Sequence, residues 1–74
     1  MSAHAVKSEI AGTVIEVCVA PGAQVSEGDT LIILDSMKME IPVIAERSGV
    51  VEAVLVEVGA PVSEGEAVIN LQVA

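Results

Sequence analysis

Apolar residues along this chain fall into short runs rather than helical stripes. Val14-Ile15-Glu16-Val17-Cys18-Val19, Leu31 to Leu34, Ile41 to Ala45 and Val68 to Leu71 are rich in β-branched side chains, and glycine-bearing segments separate them. Runs of this kind predict the strands of an all-β sandwich or barrel. No stretch keeps a 3.6-residue apolar period long enough for a helix.

The pattern repeats. Shifted by 37 residues, Ala11 to Leu34 overlays Ser48 to Leu71 without a gap and is identical at 12 of 24 positions. The identities include Gly12/Gly49, Val14/Val51, Gly22/Gly59, Gly28/Gly65 and Leu34/Leu71. Two copies are too few for a solenoid, so the chain reads as one pseudo-twofold domain. Each copy gives a long strand after Gly12 or Gly49, a turn at Gly22 or Gly59, and a very short strand at Val25 or Val62. A turn at Gly28 or Gly65 and a last strand, Leu31 to Leu34 or Val68 to Leu71, complete it. The recurring glycines supply positive φ. An opening strand over Ala5 to Ile10 and another over Met39 to Ala45 bring the total to eight. These form a flattened antiparallel sandwich in which each half feeds both sheets. Pro42 cannot donate a ladder hydrogen bond, so it belongs at an edge or a bulge.

The junction between the copies breaks the rule the other turns obey. It reads Asp35-Ser36-Met37-Lys38-Met39-Glu40, with no Gly, Asn or Pro. Two-residue hairpin turns need positive φ at one or both central positions, and local rules tend to fail at functional or strained sites. Neighbours on a strand alternate faces, so Met37 and Met39 cannot both enter the core. Exposed methionines make adaptable recognition surfaces. One repeat later the tip corresponds to Val73 and Ala74, so Lys38 should project from one end with both termini at the other. A lysine displayed in this way is a substrate for another protein's active site. Lysine amines are protonated at neutral pH, so acylation needs an enzyme that removes the proton and supplies an activated acyl group.

Composition narrows the alternatives. The chain has 74 residues, one domain's worth, and a domain this small buries only about 60% of its unfolded surface. The composition is 53% apolar with no aromatic residue, so the core is aliphatic. Net charge is −8, with eleven acids against Lys7, Lys38 and Arg47. That balance argues against nucleic acid and anionic membrane as partners. Cys18 is alone and reads as a small core hydrophobe. His4, the one histidine, falls in a segment expected to be loose. There is no zinc-ligand cluster, phosphate loop or base for Ser36, so the chain is expected to be no enzyme by itself. The duplicated acids Glu27, Asp29, Glu64 and Glu66 read as structural. No signal peptide is evident and no run is long enough to cross a bilayer, which makes the cytoplasm the expected location.

Ser36-Met37-Lys38-Met39 between two such half-repeats resembles the biotinyl/lipoyl attachment domain family, over nearly the whole chain. The resemblance implies a flattened eight-stranded barrel-sandwich hybrid, a single carrier domain over residues 1–74. Its half-repeats are about 11–34 and 48–71, and its attachment hairpin is 35–40. Met-Lys-Met is similar to the signature of the biotin carboxyl carrier branch. Lys38 would then be biotinylated by a biotin protein ligase through a biotinyl-adenylate. Met37 and Met39 would be read by the ligase and the carboxylase. The biotin arm would shuttle a carboxyl group between biotin carboxylase and carboxyltransferase. The commonest motif has Glu-Ala where this chain has Asp35-Ser36, and Val19 to Val25 carries no inserted thumb. These features resemble the small free-standing attachment proteins, or a carrier domain of a larger carboxylase. A lipoyl carrier is the nearest alternative, although its pattern favours an acid before the lysine. An unmodified interaction module is the second.

Overall fold

The structure, a computed structural model, describes residues 2–73. Eight strands follow in order: β1 (Ser2–Lys7), β2 (Gly12–Val17), β3 (Gln24–Val25), β4 (Thr30–Ser36), β5 (Met39–Ile44), β6 (Gly49–Val54), β7 (Pro61–Val62) and β8 (Ala67–Val73). One antiparallel sheet has the order β1-β8-β6-β3, the other β5-β4-β2-β7. Every strand of the first half has a counterpart 37 residues on, and each half gives two strands to each sheet. The repeat therefore extends to 2–36 and 39–73, beyond the 11–34 and 48–71 visible as identities. None of the described residues is helical, so no helix is long and apolar enough to cross a membrane.

The two sheets close over an aliphatic core that includes Val6, Val14, Leu31, Ile32, Leu34 and Val43, with Val51, Val68, Ile69 and Leu71 from the second half. Strand neighbours normally face opposite ways, yet Leu31 and Ile32 are both buried, as are Val68 and Ile69. A β-bulge explains each pair. The ladder advances from Thr30↔Ile44 to Ile32↔Val43, and from Val6↔Ile69 to Lys7↔Ala67, leaving Leu31 and Val68 as extra residues.

A second pair of bulges overturns the expectation for Cys18. The register steps from Val14↔Leu34 to Glu16↔Ile33, so Ile15 is the extra residue and the parity of β2 changes. Val14, Val17 and Val19 turn inward while Cys18 is exposed. Its counterpart Leu55, beyond the matching bulge of β6, is exposed as well. Cys18 is a surface thiol.

The opening strand also differs from expectation. It spans Ser2–Lys7 rather than Ala5–Ile10, because Ser8 ends it by bending the chain. The Ser8 hydroxyl donates to the Ile10 carbonyl at 2.5 Å and accepts from the Ile10 amide at 3.2 Å, which satisfies this buried polar group. His4 accordingly lies in β1, paired with Leu71, rather than in a loose segment. It stands where β5 has Ile41, with its Nε2 buried and unpartnered.

Other expectations are met. Gly22, Gly28, Gly59 and Gly65 all have φ between 84° and 95°. Pro42 lies in β5 and Pro61 in β7, both edge strands. Asp29 and Glu66 accept backbone N–H bonds from Ser26 and Ser63 at 2.8 and 2.9 Å, so these duplicated acids brace their own turns.

Candidate functional site

Hairpin register decides the shape of the tip. β4 and β5 pair as Ile32↔Val43, Leu34↔Ile41 and Ser36↔Met39, which puts Ile32, Leu34 and Val43 in the core. A slip of one residue would turn those side chains to solvent. Two residues are left to close the loop, and both adopt positive φ, Met37 at 51° and Lys38 at 67°. That pair of angles is the signature of a type I′ turn, usually filled by Asn-Gly. An L-residue there costs about 1–2 kcal/mol, and the buried rows of β4 and β5 hold it in place. The missing turn residues of the sequence are thus a real strain, at Met37 and Lys38 alone among the described non-glycine residues.

The strained turn is fully presented. Met37 is 93% and Met39 62% exposed, and Lys38 between them is exposed too. Arg47 lies toward the other end, two residues before Gly49, which packs against Gln72 and Val73. β2, the Gly22 turn and β3 run in sequence between the two ends. A Cβ on Gly12 would stand 2.8 Å from the Asp35 carbonyl beside the tip. The run then leads to Val25, which pairs with Gly49. The long axis of the molecule is 36 Å.

One step below the turn, Asp35 and Glu40 face each other across the ladder, both exposed. Like charges in directly opposed positions are destabilising, so the neck is tuned for neither turn preference nor charge pairing. Gly12 supports it from β2. Sequence reading gave Gly12 only as a repeat glycine; the close approach of Asp35 is what requires it. Among the described residues no group of three or more His, Cys, Asp or Glu side chains could hold a metal ion. What the site offers chemically is one primary amine on a strained, exposed turn, framed by two thioethers.

Comparison with known proteins gives this arrangement a family. The family model described as "Biotin-requiring enzyme" matches residues 2–71. A biotinylated protein TB7.3 homolog of Mycolicibacterium smegmatis is 58% identical over 43 residues, covering 58% of this chain and 61% of that protein. The biotin/lipoyl attachment protein of Bacillus subtilis is 46% identical over 43 residues, covering 58% and 59%. An acyl-coenzyme A carboxylase alpha3 subunit of Mycobacterium leprae, described as biotin-dependent, is 46% identical over 46 residues, 62% of this chain but 8% of the subunit. The match thus spans less than two thirds of these relatives' length. Among solved structures, the Kluyveromyces lactis urea carboxylase superposes with a TM-score of 0.91 at 33% identity, over 97% of this chain and 6% of that one. With a family match across nearly its full length and a fold to agree, the chain belongs to the biotin/lipoyl domain family of biotin-requiring enzymes.

Proposed function

We propose that this chain is a biotin carboxyl carrier domain and that Lys38 is its attachment point. The observation that carries the reading is the exposed type I′ turn. Lys38 is held at positive φ between two exposed methionines, where a structural turn would use glycine. Residues 1–74 act as one carrier domain that presents the reaction site and leaves catalysis to its partners.

The chemistry at Lys38 is amide formation. In the active site of a biotin protein ligase, the Lys38 ammonium would give up one proton, the free amine would attack the acyl carbon of biotinyl-adenylate, AMP would leave, and the second proton would be lost as the amide forms. The product is neutral, so the tip loses its one positive charge and gains a long arm. Met37 and Met39 provide adaptable apolar contacts for the ligase and then for biotin carboxylase and carboxyltransferase. The positive φ at Met37 and Lys38 sets the direction in which the Lys38 side chain leaves the backbone. When bound, biotin supplies a ureido nitrogen that accepts and releases a carboxyl group. The cytoplasm, where ATP for activating the acyl group is available, is the location this reading expects.

Lipoate is the second reading, supported by the Bacillus subtilis relative named for both groups. Met37 in place of an acid before the lysine favours biotin. Co-expression with a biotin ligase followed by intact-mass measurement tests the proposal. One biotinyl adduct is expected, mapped to Lys38 and abolished by Lys38→Arg. An adduct on Lys7 would overturn the site, and a lipoyl mass on protein from its own host would favour the second reading.

A further inference from the structure

The pseudo-twofold frame is broken on the half of the molecule that carries the tip. A groove of about 240 Å³ lies between the edge strand β5 and the Ser8–Ile10 bend, with Ile10, Ile41, Pro42 and Ile44 in its wall. One repeat away those positions hold Arg47, His4, Ala5 and Lys7. Core positions keep their character across the repeat, as Val6/Val43 and Leu34/Leu71 do, so the fold does not demand this difference. Large apolar side chains are concentrated on the side of Lys38. Ile41 pairs with Leu34, two positions below the Ser36↔Met39 closure. Ile10 lies two residues before Gly12, which abuts the neck.

We propose that this groove is the resting seat of the arm on Lys38, a binding site for the fused-ring head of biotin between transfers. The inference rests on Lys38 being the attachment point. Reach is suitable: Ile41 is three residues from Lys38, roughly 10 Å along a strand. An extended arm of about ten bonds from the Lys38 Cα covers roughly 12 Å. The head then lies along Ile10, Ile41 and Pro42, with Ile44 closing the far end. Volume is suitable too. About 240 Å³ is many times the roughly 10–15 Å³ that one water needs, which leaves room for a two-ring head of about nine heavy atoms. Polar residues are at hand as well: a ureido group has one acceptor and two donors, and Lys7, Glu9 and Glu46, which carry donors and acceptors, are among the lining residues. Seating removes the apolar faces of both the ring and the groove from water.

The test compares unmodified ¹⁵N-labelled protein with protein biotinylated to completion, as verified by intact mass. Amide shifts are expected at Ile10, Ile41, Val43 and Ile44 in addition to those at Ser36 to Glu40, with ring-to-Pro42 proton contacts. In Pro42→Glu and Ile44→Glu, both changes of exposed side chains, the groove shifts should vanish while the tip shifts remain. Shifts confined to residues 36–40 in fully modified protein would overturn the seat and leave Lys38 as attachment point. So would groove amides that move only when a carboxylase is added, which would assign the groove to a protein partner. Absence of any adduct overturns the attachment reading itself.

Discussion

Ser2 faces Val73 across the first sheet in the register in which Met39 faces Ser36 across the second. The end of the molecule remote from Lys38 therefore repeats the register of the tip, with Val73 and Ser2 where Ser36 and Met39 stand. In sequence, Ala74 and Met1 would be the two residues between Val73 and Ser2 if the chain were closed, as Met37 and Lys38 are between Ser36 and Met39.

Backbone cyclisation should therefore stabilise the domain without any linker. Closing a loop of this length removes about 4 kcal/mol of unfolded-state entropy in the chain-entropy model. Two L-residues forced to positive φ give back about 1–2 kcal/mol each. A cyclised chain with Asn-Gly replacing Ala74-Met1 should then exceed the direct Ala74–Met1 closure by about 2 kcal/mol. Urea unfolding, analysed with a separate slope for each cyclic form, measures the difference. Equal stability of the two closures would mean that the terminal end does not form the mirror turn.

At the real tip the same strain can be relieved directly. Met37→Gly and Lys38→Gly should each stabilise by about 1 kcal/mol, because glycine adopts positive φ without a Cβ clash. Lys38→Ala removes the same side chain but keeps the Cβ, so stability should stay within about 0.5 kcal/mol. Chemical denaturation of the three variants separates backbone from side chain. A loss of stability in Lys38→Gly would show that the lysine is structural.

The turns, the sandwich and the pseudo-dyad were legible in the sequence because each rests on residue type at a fixed spacing. Gly22 and Gly59 need no tertiary information to specify a turn. The exposed tip around Lys38 was legible for the converse reason, since Met37 and Met39 violate turn chemistry and strand parity forbids burying both. The bulges were not legible, as an extra residue at Ile15 or Leu31 has no compositional mark. Cys18 was misread for that reason alone. The opening strand was misplaced because only Val6/Val43 and Glu9/Glu46 are identical in that part of the repeat. Carrying the Met39–Ala45 strand back by 37 residues would have put its start at Ser2. The groove beside Ile10 and Ile41 was out of reach, since it joins segments that only the fold brings together.

Cys18 has a testable pH dependence. Desolvation, followed by the Glu16 carboxylate that accepts its S–H at 3.6 Å, pushes the thiol up from its ordinary value. A raised thiol value means that the unfolded chain loses this proton first. The contribution to stability is thus present below the ordinary thiol range and is lost as pH rises through the folded value. The midpoint of the iodoacetamide rate profile should lie higher for native protein than for protein in urea. Glu16→Gln should lower it only part of the way, because desolvation is the larger cause. A native midpoint at or below the unfolded one would refute the assignment.

Gly12 and Gly49 occupy equivalent places at opposite ends, and this separates support of the tip from support of the fold. A Cβ on Gly12 meets the Asp35 carbonyl oxygen at 2.8 Å, and one on Gly49 would come nearer still to that of Gln72. Backbone atoms cannot rotate aside, so each Gly→Ala change should cost about 1–3 kcal/mol, as overpacking does. The strands displaced are different. Gly12→Ala pushes on Asp35 and so on the neck of the Lys38 turn, whereas Gly49→Ala pushes on Gln72 and Val73, remote from it. Both variants should show lowered urea midpoints, but only Gly12→Ala should be biotinylated more slowly at a temperature where both remain folded. Equal slowing would mean that the ligase responds to the stability of the whole domain. Slowing in Gly12→Ala alone would mean that it reads the geometry Asp35 imposes on Met37 and Lys38.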